Sequence, residues 1–243
     1  MDRKLLQYLV EYLVKESEAH GCALPPAAAD AAHDGLASTS ADELWLAFRS
    51  LVNVRPPWPA PAEFLAAQNE LLQGLIAEAG VATLADTTPS PTDPRLRLWR
   101  GDITTLAVDA IVNAANSGMT GCWAPLHYCI DNAIHTFAGV QLREACANLM
   151  AAQGHPEPTA QAKVTDGYNL PARYVIHTVG PIADGRPTAT HRRRPDRERA
   201  RHVGGRAPAR RVLPLLPGAR RAAWRAECRL LLHLHGRVRL PPG

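Results

Sequence analysis

At 243 residues with 46% hydrophobic content, the chain is long enough for one sizeable domain or two small ones with a real core. No apolar run approaches the ~18 residues that a membrane span needs. The charged amino terminus carries no cleavage-type segment, and five cysteines without a framework spacing suit free thiols, so a soluble cytoplasmic protein is expected. The net charge of +4 averages two unlike parts: residues 1–182 hold 11 basic and 19 acidic side chains, and residues 183–243 hold 16 and 4, with all 16 of the basic ones arginine.

From Met1 to about Glu18, Leu5, Leu6, Tyr8, Leu9, Tyr12, Leu13 and Val14 recur at three and four, which predicts an amphipathic helix. Ala23 to Ala37 reads as low-complexity, alanine-rich sequence. A second helix is expected from Ser40, with Glu43 three residues on in the capping-box pattern, to just before Arg55-Pro56-Pro57. A third follows Pro61 and carries Phe64, Leu65, Leu71, Leu72, Leu75 and Ile76. Residues 1–85 are therefore read as a small helical amino-terminal extension whose apolar stripe packs against and steadies the rest. Residues 86–95, rich in Thr, Pro, Ser and Asp, read as a linker.

The functional information lies between Leu98 and Cys146. In Arg100-Gly101-Asp102-Ile103-Thr104, Gly101 permits a turn and Asp102 offers a carboxylate that can accept two N–H bonds. Val108-Asp109-Ala110-Ile111-Val112-Asn113 is an apolar run of strand length. It predicts a buried parallel strand delivering Asn113 and Asn116 to its carboxyl end, where ligands sit in open α/β sheets.

Cys122, His127 and Cys129 then fall within eight residues, with Asp131 two positions on. Two thiolates and an imidazole suit zinc, and three protein ligands leave a fourth position for water or substrate. By spacing alone the trio is equally compatible with ordinary core residues. From Asn132 to Arg143 apolar residues recur at helical spacing, which places Asp131 and Asn132 at a helix entrance that favours anions. Ala162–Thr165 and Tyr174–Val179 read as two further strands, and His177, inside the second, as a satisfied core histidine.

The order of these segments resembles the macrodomain family, and more closely its zinc-containing branch of protein-ADP-ribose hydrolases. The resemblance rests on Gly101-Asp102-Ile103-Thr104, on Val108 through Asn116, and on Gly121-Cys122 with His127, Cys129, Ile130 and Asp131. It continues in Ala133-Ile134-His135, Phe137-Ala138-Gly139, Lys163 through Pro171 and Arg173 through Pro181. Arg49 through Pro57 is similar to that branch's helical extension.

The resemblance implies a three-layer α/β/α sandwich with a mixed sheet across residues 96–182. It also implies removal of mono-ADP-ribose from modified protein side chains. Asp102 and Ile103 would hold the adenine end of ADP-ribose, and Asn116 the distal ribose. Cys122, His127 and Cys129 would ligate Zn2+ beside the anomeric carbon, and Asp131 would orient a water or act as base. Gly121, Cys122, Ile130 and Asp131 would line the first phosphate loop, with Asn113 structural. A non-catalytic ADP-ribose reader is the alternative within the same fold.

The resemblance stops after Pro181. Residues 183–243 are rich in Arg, Pro and Gly and could be taken for a nucleic-acid-binding tail, but their arginines lack aromatic interleaving or a helical stripe. Reading the codons of Leu230 to Pro241 one base on, with GC-rich synonyms, yields Phe-Cys-Cys-Ile-Ser-Thr-Gly-Val-Phe-Gly-Tyr-Pro. That string resembles the family's second phosphate loop. We therefore expect a frameshift near residues 184–195, leaving the last ~55 residues non-native or disordered and the activity impaired.

Overall fold

The computed structural model describes residues 2–181. The expectations for residues 183–243, including the altered reading frame, lie outside the described residues, as does any layer those residues would add to a sandwich.

Four helices form the amino-terminal part. α1 (Arg3–Ala19) starts at Asp2, whose carboxylate accepts the N–H groups of Lys4 and Leu5, two donors that a helix start leaves without partners. α3 (Ala41–Val54) is capped by the Ser40 hydroxyl, which accepts from Asp42. The reciprocal Glu43 bond of the expected capping box is not formed among the described residues. α4 (Ala62–Ala79) ends at Gly80, whose positive φ of 87 suits glycine.

The stretch read as low-complexity is instead a helix, α2 (Pro26–Ala37). Proline fits the first helical turn because its missing N–H would be unpaired there anyway, and alanine is the strongest helix former. Gly35 lets α2 lie directly on α3: a Cβ there would stand 2.7 Å from that of Ala47. Leu6, Leu9, Leu44, Phe48, Phe64 and Leu72 are fully buried in the core these helices share. Each such side chain contributes roughly 1.5–3 kcal/mol.

The expected linker is not featureless. Thr83 and Asp86 close a capping box on a short 3-10 turn. Thr88–Pro89 (β1) then pairs antiparallel with Arg97–Leu98 (β2).

The main sheet follows. β3 (Ala110–Ala115) runs parallel to β5 (Tyr174–Val179), which pairs antiparallel with β4 (Ala162–Asp166), giving the order β3-β5-β4. This is the mixed sheet expected. α5 (Ile130–Ala138) and α6 (Val140–Gln153) connect β3 to β4. Ile103, Ile111, Ile134, Leu142 and Val175 are buried in one cluster between sheet and helices. Val140 joins the helical core and Phe137 packs on both clusters, so the extension packs against the α/β part. No helix among the described residues is long and apolar enough to cross a membrane.

Candidate functional site

The parallel register of β3 and β5 sets Asn113 opposite His177 and fixes the site's floor. Asn113 is fully buried, and its Nδ2 donates to Asp131 Oδ1 at 2.7 Å and lies 3.1 Å from His177 Nδ1. Beyond the strand end, Asn116 is exposed. Its Oδ1 accepts the Gly118 N–H at 2.9 Å, and its Nδ2 donates to the Gly121 carbonyl at 3.0 Å and, longer, to Asp131 Oδ2 at 3.4 Å. Asn113 and Asn116 thus hold the two oxygens of one carboxylate.

That carboxylate sits in the first turn of α5, where a negative charge is favoured. Burial nevertheless dominates and raises the Asp131 pKa, against the Asn113 hydrogen bond and the charge of Arg143, which lower it. His135 Nε2 is 3.6 Å from Asp131 Oδ1, too far for a hydrogen bond, and both ring nitrogens of His135 are buried without partners among the described residues. Gly121 rests on that ring. At φ +82, with a Cβ position 2.8 Å from His135, it can be only glycine without strain.

The loop after Gly121 gathers the predicted ligands. The donor atoms of Cys122, His127 and Cys129 all lie within 4.8 Å of one another, and Cys122 Sγ is 3.3 Å from His127 Nδ1. Neighbouring donors of a tetrahedral zinc site are about 3.5–3.8 Å apart, so the three donors are gathered to near the spacing such an ion would need. Cys129 also caps α5, its sulfur accepting the Asn132 N–H at 3.4 Å. Burial pushes the Cys129 thiol up to about 11, with the neighbouring Cys122 and Asp131 adding to the shift and the Asn132 N–H opposing it. Two thiols beside a carboxylate are an electrostatic arrangement that a bound divalent cation relieves.

A second trio at ligand spacing, His135, Cys146 and His177, is fully buried. Its His177 is already bonded, whereas the His135 ring nitrogens have no partner among the described residues. Because Asn113 Nδ2 faces His177 Nδ1, that nitrogen accepts, and the ring proton sits on Nε2, which donates to Thr165 Oγ1 at 3.0 Å. Burial pushes the Cys146 thiol up to about 12. His177 is a satisfied core histidine.

Burial lowers the His177 pKa from 6.5 to about 4. As pH falls through that window the unfolded chain takes up a proton that the folded chain refuses, so folding stability decreases, by about 3 kcal/mol for this group at the acid end. His135, also held well below its ordinary value by burial, acts in the same direction. Urea unfolding followed across that pH range should show the decline, and His177→Gln should flatten it.

Asp102 caps the turn Ile103–Thr105 with one carboxylate oxygen, Oδ1, which accepts the Thr104 N–H at 2.9 Å and the Thr104 hydroxyl at 2.8 Å. It is half-buried, while the Ile103 side chain belongs to the core and leaves its backbone as the part able to meet a ligand. Ile130, half-buried at the start of α5, packs against the same core. The structure therefore brings together Asn116, Asp131, Cys122, His127 and Cys129, and gives Asp102 no bond to them.

Arg143 was not anticipated. Its Nε donates to the Thr120 carbonyl at 2.8 Å, its Nη1 to the carbonyls of Val52 at 3.0 Å and Arg55 at 2.7 Å, and its guanidinium covers the Trp123 ring at 4.2 Å. Asn53, on α3, was also missed. No local pattern in the sequence signals either residue, because their partners lie far away along the chain.

The Macro domain family model matches residues 112–194. The chain is similar to a protein named protein-ADP-ribose hydrolase from Treponema medium, 52% identical over 184 residues that make up 74% of this chain and 66% of that protein. It is also similar to a protein of the same name from Staphylococcus aureus (strain MSSA476), 51% identical over 143 residues, or 59% of this chain and 53% of that one. The chain thus spans about two thirds of the length of the first and about half of the second. A solved Trypanosoma brucei macrodomain in complex with ADP-ribose is 32% identical, covering 55% of this chain and 59% of that chain with a TM-score of 0.37. With the mixed sheet, the asparagines at the end of β3 and the family match over the same residues, the α/β part of this chain belongs to the macrodomain family.

Proposed function

We propose that this chain is built as a zinc-dependent protein-ADP-ribose hydrolase acting on mono-ADP-ribosylated protein side chains. The observation that carries the reading is the meeting of Cys122, His127 and Cys129 within 4.8 Å of one another beside the Asn116 and Asp131 pair. The names of the relatives support it. Exposed Asn116, oriented from below by Gly118 and Gly121, presents its amide to a ribose hydroxyl. Asp131, its oxygens fixed by Asn113 and Asn116, accepts a proton from the attacking water without needing to move. Zinc on Cys122, His127 and Cys129 would supply Lewis acidity towards a ribose oxygen or lower the pKa of a bound water. Asp102 and the Ile103 N–H take the adenine end, and the backbone around Gly121 and Ile130 takes the first phosphate.

In this chain the activity is impaired, because residues 183–243 do not read as the second phosphate loop. Two features support a changed reading frame: the family match ends at residue 194, and arginine takes over the composition in the same interval. Sequencing the locus tests it. One insertion or deletion near codons 184–195 that opens a Ser-Thr-Gly loop supports the proposal, and a confirmed frame removes it.

The hydrolase reading is tested on the frame-restored protein by following ADP-ribose released from a mono-ADP-ribosylated protein. Asp131→Asn keeps an oxygen for Asn113 and is expected to slow release ~100- to 10,000-fold. Binding without release and without zinc would identify a reader instead. The cytoplasm is proposed as the location on the free thiols of Cys22, Cys122, Cys129 and Cys146.

A further inference from the structure

The loop that carries the three ligands has little structure of its own. His127 N–H reaches the Ala124 carbonyl at 3.3 Å and Cys129 N–H reaches that of His127 at 3.1 Å. Between these turns Leu126, directly before the histidine ligand, has φ 56, a conformation that branched and bulky residues rarely adopt. Such a residue persists only where its surroundings hold it.

What holds it comes from the helical extension. Asn53, on α3 and 1% exposed, accepts the Leu126 N–H on Oδ1 at 3.0 Å and donates from Nδ2 to Thr136 Oγ1 of α5 at 3.1 Å. One turn earlier on the same face, Arg49 donates to Asn132 Oδ1 at 3.3 Å. The Asn132 amide in turn donates to the Ala124 carbonyl at 3.2 Å. From the other side Arg143 ties Thr120, just before the loop, to the carbonyls of Val52 and Arg55 at the end of α3.

We infer that α3 is the template of the metal loop, with Asn53 the positioning residue that aims His127 at Cys122 and Cys129. The extension is then a working part of the metal centre and not only a brace for the fold. This rests on the zinc reading above. Groups that orient metal ligands without touching the ion typically govern affinity 10- to 100-fold.

The test uses the full chain and measures zinc affinity by competition with a chromophoric chelator, alongside the unfolding temperature of the metal-free protein. Asn53→Ala is expected to weaken zinc about 10- to 100-fold. Asn53→Asp keeps an acceptor for Leu126 and lies one turn from Arg49, whose Nε and Nη1 have no partner among the described residues, so it should stay within a few-fold of wild type. Should the alanine variant not fold, Asn53→Ser keeps a polar group but shortens the side chain so that its hydroxyl no longer spans to both Leu126 and Thr136, and it is expected to weaken zinc likewise. Unchanged zinc affinity in the alanine or serine variant, with or without a lower unfolding temperature, overturns the inference and leaves the zinc reading standing. A wild-type chain that takes up no zinc overturns both.

Discussion

Replacing Cys129 by serine is expected to lower zinc affinity by at least ~100-fold, more than the loss of a group that only orients a ligand, because a thiolate in direct contact with the ion is removed. The hydroxyl does not ionise at neutral pH, so only Cys122 and His127 remain, too few for a stable site. The fold should survive. Cys129 is only half-buried, and serine can still cap α5 by accepting the Asn132 N–H. Chelator competition on the wild-type and variant chains measures the difference, and circular dichroism confirms that α5 and the sheet persist. Equal zinc affinities would remove Cys129 from the ligand set.

The second large effect concerns ADP-ribose itself. Backbone N–H groups converging on a diphosphate make a strong anion site; the chain supplies the loop around Gly121 and Ile130, and under the proposed change of frame residues 183–243 do not read as the second. Calorimetry with the chain as it stands is therefore expected to show binding weaker than ~1 mM, equivalent to less than about 4 kcal/mol. Restoring the frame near codons 184–195 should bring the affinity into the micromolar range, a gain of about 4 kcal/mol. Low-micromolar binding by the unaltered chain would contradict this account of residues 183–243.

Much of the fold was legible because local patterns dominate it. The three- and four-residue spacing in α1, α3 and α4 and the apolar run of β3 each state their period directly. The cluster of Cys122, His127 and Cys129 was legible for the same reason, lying within eight residues. α2 was missed because its alanines carry helix propensity without an apolar stripe, and the β1–β2 hairpin because two-residue strands leave no alternation to read.

Asn53 and Arg143 were illegible for a different reason. Apart from Thr120 and Trp123 beside Arg143, their partners lie 73 to 91 positions away, so only the packing of the extension on α5 and α6 shows what those side chains do. Asp102 marks the reverse case, a residue whose turn was readable but one of whose carboxylate oxygens, Oδ1, is already engaged by Thr104.

The zinc content of the purified wild-type chain, measured by elemental analysis after dialysis against metal-free buffer, bears most directly on the whole account. About one ion per chain, displaceable by cobalt with the absorption of thiolate ligation, is the predicted result. A folded chain that retains no zinc and takes up none when it is supplied would contradict it.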